Sequence, residues 1–134
     1  MEKGFAKFLE IAEDITKFAA LAETFTKFNI SYLNKKGSQG LYYPDFIAEQ
    51  KIENGNAINW IIETKGYEDE NVKYKDDEAI NWCKTATEHT GIEWRFLKVP
   101  DKFFRSSGVG PTTFAELADK LNTYNENLEK EKLL

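Results

Sequence analysis

From Glu2 onward the apolar residues Phe5, Phe8, Leu9, Ala12 and Ile15 recur at steps of three and four, which predicts an amphipathic helix over 2–18. The period then shortens. Residues 28–33 (FNISYL) are β-branched and aromatic, NKKGSQG reads as a turn, and 41–50 (LYYPDFIAEQ) return as the second strand of a hairpin. Asn54-Gly55 suits a tight type I′ connection into a strand at 57–66, so three antiparallel strands in a meander are expected. The acidic, cap-rich stretch 68–71 (EDEN) opens a second helix over about 71–89, which Gly91 can close. A strand at 92–99 follows and stops at Pro100; the crossover helix is long enough for this strand to run parallel to 57–65. Past a loop, Thr113 and Glu116 form a capping box for a last helix with Phe114, Leu117, Ala118, Leu121 and Leu128 on its apolar face. The order helix, meander, helix, strand, helix predicts an α/β fold with a mixed central sheet flanked by helices.

At 134 residues, 41% hydrophobic and 31% charged, the chain has the size and balance of one globular domain over 1–134. No apolar run approaches the ~20 residues that cross a bilayer, and the charged start MEKGFAKFLE lacks the pattern of a secretion signal. The single cysteine, Cys83, and the single histidine, His89, exclude an internal disulfide and a Cys/His zinc site, and point to a reducing, cytoplasmic setting. A formal charge of −5 argues against a domain that grips nucleic acid by bulk electrostatics.

One constellation carries chemistry. Strand alternation puts Asn59, Ile61, Glu63 and Lys65 on one face of the third strand, and Tyr43, Asp45 and Ile47 on one face of its neighbour. Asp45 is thereby expected to approach Glu63. Two carboxylates and an ammonium at the end of apolar strands are costly to desolvate, and a divalent cation compensates. Mg²⁺ suits the set, since it takes hard oxygens from one or two carboxylates, water and phosphate; Mn²⁺ can substitute.

Pro44-Asp45 followed 18 residues later by Glu63-Thr64-Lys65 resembles the bipartite motif of the PD-(D/E)xK nuclease superfamily. More narrowly, YYPDFIAE, WIIETKGYEDENVKYKDDEAINWC and WRFLKVP look like the C-terminal endonuclease domain of the helicase-bearing Res subunit of type III restriction enzymes, and Glu2 before Phe5-Ala6 matches the start of that domain. The resemblance covers roughly residues 2–104. It implies a restriction-endonuclease-like core and a Mg²⁺-dependent endodeoxyribonuclease of a restriction system. Asp45 and Glu63 would be metal ligands, with the Thr64 carbonyl as a third oxygen, and Lys65 would polarise the attacking water. Glu2 is a fourth candidate ligand, set back by its place at a fraying terminus. Lys75 lies on the inward stripe of the second helix with Val72, Ala79, Trp82, Cys83 and Ala86, from which superfamily members often send a polar residue to the site. Tyr43 and Tyr67 flank the two motif halves and are candidates to line a DNA channel.

The implied partners are DNA, a helicase module that delivers it, a methyltransferase subunit, and a second copy in a transient dimer for double-strand cutting. Met1 directly before the first helix suggests an excised domain or a truncated relative. The rival expectation is a catalytically silent nuclease-fold module that docks a protein or binds nucleic acid weakly. Elsewhere the ordinary readings hold: Cys83 as core, His89 as an exposed or helix-end residue, residues 68–70 as helix-start charge, and Trp60, Trp82 and Trp94 as packing.

Overall fold

The computed structural model describes residues 2–21, 28–65, 71–106, 110 and 112–132, and of Lys65 the backbone alone. In chain order the elements are α1 (Glu2–Ile11), β1 (Ile15–Ala20), β2 (Ile30–Leu33), β3 (Gln39–Tyr42), β4 (Phe46–Lys51), β5 (Ala57–Lys65), α2 (Val72–Thr90), β6 (Glu93–Pro100), α3 (Asp101–Ser106) and α4 (Phe114–Lys132). Four strands form one sheet in the order β1-β4-β5-β6, antiparallel except for the parallel β5–β6 pair; β2 and β3 form a separate two-stranded sheet.

The helix expected over 2–18 stops at Ile11, and residues 15–20 form an edge strand. The apolar spacing from Ala12 to Ile15 satisfies both periods, and β-branched Ile15 and Thr16 favour the extended one. Long-range bonds decide the outcome: Lys51 N–H donates to the Asp14 carbonyl and Leu21 N–H to the Asp45 carbonyl, both at 2.7 Å, at the two ends of the β1–β4 ladder.

The meander also needs correction, because β1 takes the place expected for residues 28–33. The run 41–50 divides at Tyr43–Asp45, its first part closing a hairpin with β2 and its second part entering the main sheet as β4. Buried Pro44 marks the break, having no N–H to offer either sheet. In the hairpin, a Cβ on Gly40 would lie 2.5 Å from Tyr32 Cζ, so the ring folds across a position that only glycine leaves open. The turn into β5 behaves as read: Asn54 and Gly55 both have left-handed φ, 70° and 75°.

β5 is covered on both faces. Ile58, Trp60 and Ile62 join Phe46, Ala48 and Val99 in the larger core, which α1, α3 and α4 cover with Phe5, Phe8, Leu9, Phe103, Phe114 and Leu117. The opposite face carries a smaller core in which Ile30, Tyr32 and Tyr42 of the hairpin meet Ala79 and Trp82 of α2 and Phe96 of β6. α2 closes on Gly91 at φ 74°, and β6 returns parallel to β5, both as expected. α3 falls between the expected strand and the expected loop, where no element was read, and Leu128 is exposed instead of lying on the buried face of α4.

Candidate active site

Asp45 is fixed through its backbone. Its N–H donates to the Ile62 carbonyl at 3.1 Å and its carbonyl accepts from Leu21 N–H at 2.7 Å, so the strands on both sides hold it at one end of the sheet. Its side chain is fixed as well: Oδ2 accepts from Thr64 N–H at 2.9 Å and from the Thr64 hydroxyl at 2.8 Å. The two halves of the sequence motif therefore lie side by side. The detail differs from the expected approach to Glu63, because Oδ2 turns to Thr64, whose side chain alternates onto the other face of β5.

Glu63 is 5% exposed, and burial of a carboxylate requires compensation. In register it faces Lys98 of β6, and Lys98 Nζ reaches Asp76 Oδ2 of α2 at 3.1 Å. Above it lies Tyr42, 5% exposed, with its ring edge-on to Phe96 at 6.5 Å. Burial raises the phenol's pKa most, followed by the charge of Glu63 and then by Asp45 and Asp76. The charges of all three carboxylates thus oppose ionisation of this one hydroxyl. Glu63 stands close to that hydroxyl without the geometry of a full hydrogen bond, and Tyr42 Oη has no partner of standard geometry among the described residues.

Glu2 comes from the α1 side. Its carboxyl is raised above the usual range by the charge of Asp45 first, then by partial burial and a hydrogen bond to Asp45. The first helix does bring this residue to the motif aspartate. Lys75 is half-buried on α2 with Nζ 5.9 Å from the centre of the Tyr32 ring, on the hairpin side of the sheet. Lys65 ends β5 with its backbone opposite Pro100, and its side chain lies outside the described residues, as do Tyr67 and residues 68–70.

Among the described residues, no three Asp, Glu, His or Cys side chains converge as a metal-binding group. A divalent ion here would draw on Asp45, Glu63 and the Thr64 carbonyl, with Glu2 adjacent to Asp45; all are hard oxygens of the kind Mg²⁺ takes alongside water and phosphate. Sequence reasoning missed Tyr42, Asp76 and Lys98. Asp76-Asp77 reads as ordinary helix-surface charge, and only the parallel pairing of β6 brings Lys98 across from Glu63.

Cys83 is buried, which pushes its thiol up to about 11, and His89 is exposed. No family model matches this chain, and neither does any curated protein or solved structure.

Proposed function

We propose that this domain is a divalent-metal-dependent DNA endonuclease, with its site at the end of β4 and β5. The observation that carries the reading is the junction of the two motif halves: Asp45 is hydrogen-bonded through its backbone to Ile62 and through its carboxylate to Thr64, next to Glu63. Support also comes from the strand plan, three antiparallel strands followed by a crossover helix and a parallel fourth, which agrees with a restriction-endonuclease-like core.

In this reading Asp45 and Glu63 hold the ion, the Thr64 carbonyl adds an oxygen, and Glu2 borders the position from α1. Bound Mg²⁺ or Mn²⁺ would polarise the scissile phosphate and lower the pKa of a bound water. Lys65 orients that water and offsets charge on the phosphate, and Lys75 supports from α2. A chain of net charge −5 is poorly suited to capture DNA by itself, so delivery falls to a helicase module and site choice to a methyltransferase subunit, as in type III restriction. Two copies meeting on DNA would cut both strands, and the setting is the cytoplasm.

The second reading is a silent nuclease-fold module. On its side stand the engagement of Asp45 Oδ2 by Thr64 and the absence of a three-group metal cluster among the described residues. Plasmid nicking with Mg²⁺ or Mn²⁺, comparing the wild type with Asp45→Ala and Lys65→Ala, separates the two. Nicking by the wild type alone supports the nuclease; equal behaviour of all three proteins supports the silent module.

A further inference from the structure

β6 is an outer strand of its sheet, and its free edge lies at the bottom of a recess. Trp94 N–H donates to the Thr87 hydroxyl at 2.9 Å, and that hydroxyl lies 3.4 Å from the Trp94 carbonyl, so the backbone groups of Trp94 face away from β5. In a strand, residues two apart face the same way, which points the N–H and C=O of Phe96 outward as well. At the far end Pro100 has no N–H. The outward edge is thus closed by Thr87 at one end and ended by proline at the other, with Phe96 and Lys98 facing outward between them and Phe96 nearest the recess.

Beside this edge is a cavity of about 610 Å³ that Phe96 and Trp60 help to line. One wall is α2, with Ile80 and Lys84; the other is α4, with Ala118 and Asp119. Ile80, 56% exposed, offers an apolar side chain on the α2 wall.

We infer that this slot receives an extended segment of a partner polypeptide, which adds to the sheet as a fifth strand beside β6. Backbone complementarity selects the shape of the occupant. An extended chain matches the exposed N–H and C=O of Phe96, whereas a helix keeps its own groups paired internally. A second copy's β6 is excluded by the recess, because each edge lies between its own two helices. Charge selects the sequence. Neither Lys84 on one wall nor Asp119 on the other forms an ion pair with a described residue. Successive residues of a strand face opposite walls, so the segment that fits carries an acidic residue next to a basic one, with apolar neighbours for Ile80 and Ala118. This inference is independent of the nuclease reading.

The test combines amide hydrogen exchange by NMR with selection from a displayed library of random heptapeptides. In the free protein the Phe96 amide is expected to exchange much faster than that of Leu97, which faces β5. Selected peptides are expected to contain the adjacent acid–base pair and to slow the Phe96 amide at least tenfold on binding. Lys84→Glu is expected to weaken them at least tenfold, with recovery when the peptide's acidic residue is changed to lysine. The inference is overturned if the Phe96 amide is already protected in dilute protein, if no selected peptide slows it, or if Lys84→Glu leaves binding unchanged. Slowing that depends on protein concentration alone overturns it too, since the occupant would then be a second copy.

Discussion

Thr64 donates twice to one oxygen of Asp45, from its backbone at 2.9 Å and from its hydroxyl at 2.8 Å, across the junction between the β4 and β5 strands. A hydrogen bond to a charged acceptor in a partly buried setting contributes about 1.5–3 kcal/mol. Thr64→Val keeps the shape and the backbone bond but removes the hydroxyl, and is expected to lower stability by about that amount, while Thr64→Ser stays near the wild type. Urea denaturation of the three proteins measures this. Equal midpoints for Val and Thr would mean that the hydroxyl does not hold Asp45.

The Glu2–Asp45 contact gives a pH dependence with a definite sign. The folded protein keeps the Glu2 proton to higher pH than the unfolded chain does, because the Asp45 charge opposes its loss. Between the usual value of 4.5 and the raised one, the native state binds more protons, and stability falls as pH rises. In chelator, Glu2→Gln is therefore expected to raise Tm above the raised value, with the gain vanishing as pH falls toward 4.5. With Mn²⁺ the sign should reverse, since the same substitution removes a candidate ligand. A Tm gain in chelator that does not change with pH would contradict the contact.

Tyr42 presents the opposite situation to Thr64, a buried hydroxyl with no partner of standard geometry among the described residues. Leaving such a group unsatisfied costs about 1–3 kcal/mol, so Tyr42→Phe is expected to stabilise the metal-free protein by about 1 kcal/mol. If the hydroxyl serves bound DNA or metal, the same variant nicks plasmid more slowly while being more stable. A loss of stability would show that the phenol is well bonded to Glu63 after all.

Much of the architecture was legible because local signals agreed with tertiary ones. Residues 57–65 are rich in β-branched and aromatic residues, Asn54-Gly55 takes two left-handed positions, and Gly91 ends its helix. Where one signal served two periods, the reading failed, as at Ala12–Ile15, whose spacing fits a helix but whose fate is set by pairing with β4. The run 41–50 reads as one strand because nothing local tells which sheet each half joins. At the site, the proximity of Asp45 to the second motif half followed from register. The hydrogen bonds to Thr64 did not, since they depend on a rotamer, and Lys98 and Asp76 depend on a parallel pairing that brings distant residues together.

The N-terminus of α4 shows the same limit and yields the last prediction. Thr113 caps as its sequence suggests, with the Glu116 N–H donating to its hydroxyl at 3.1 Å, but the Glu116 carboxylate of the expected capping box accepts from Thr112 N–H at 3.1 Å, and a second cap comes from a hundred residues earlier. Asp14 accepts from Phe114 N–H at 2.7 Å and from Ala115 N–H at 3.0 Å, and its Oδ2 also accepts from Gln50 Nε2 at 3.1 Å. Gln50 in turn accepts from the buried Trp60 Nε1 at 2.8 Å, so a single carboxylate ties the start of α4 to the centre of the sheet. A lost helix cap alone costs about 0.5–2 kcal/mol, and disturbing a buried hydrogen-bond chain adds to it. Asp14→Ala is expected to lower stability by about 2–3 kcal/mol. Asp14→Asn, which keeps the acceptor but loses the charge that favours a helix start, should cost about 1 kcal/mol. Urea denaturation followed by tryptophan fluorescence reads both. An Asp14→Ala protein that unfolds with the wild type would mean that α4 is held by Phe114, Leu117 and Leu121 in the core, with no contribution from its cap.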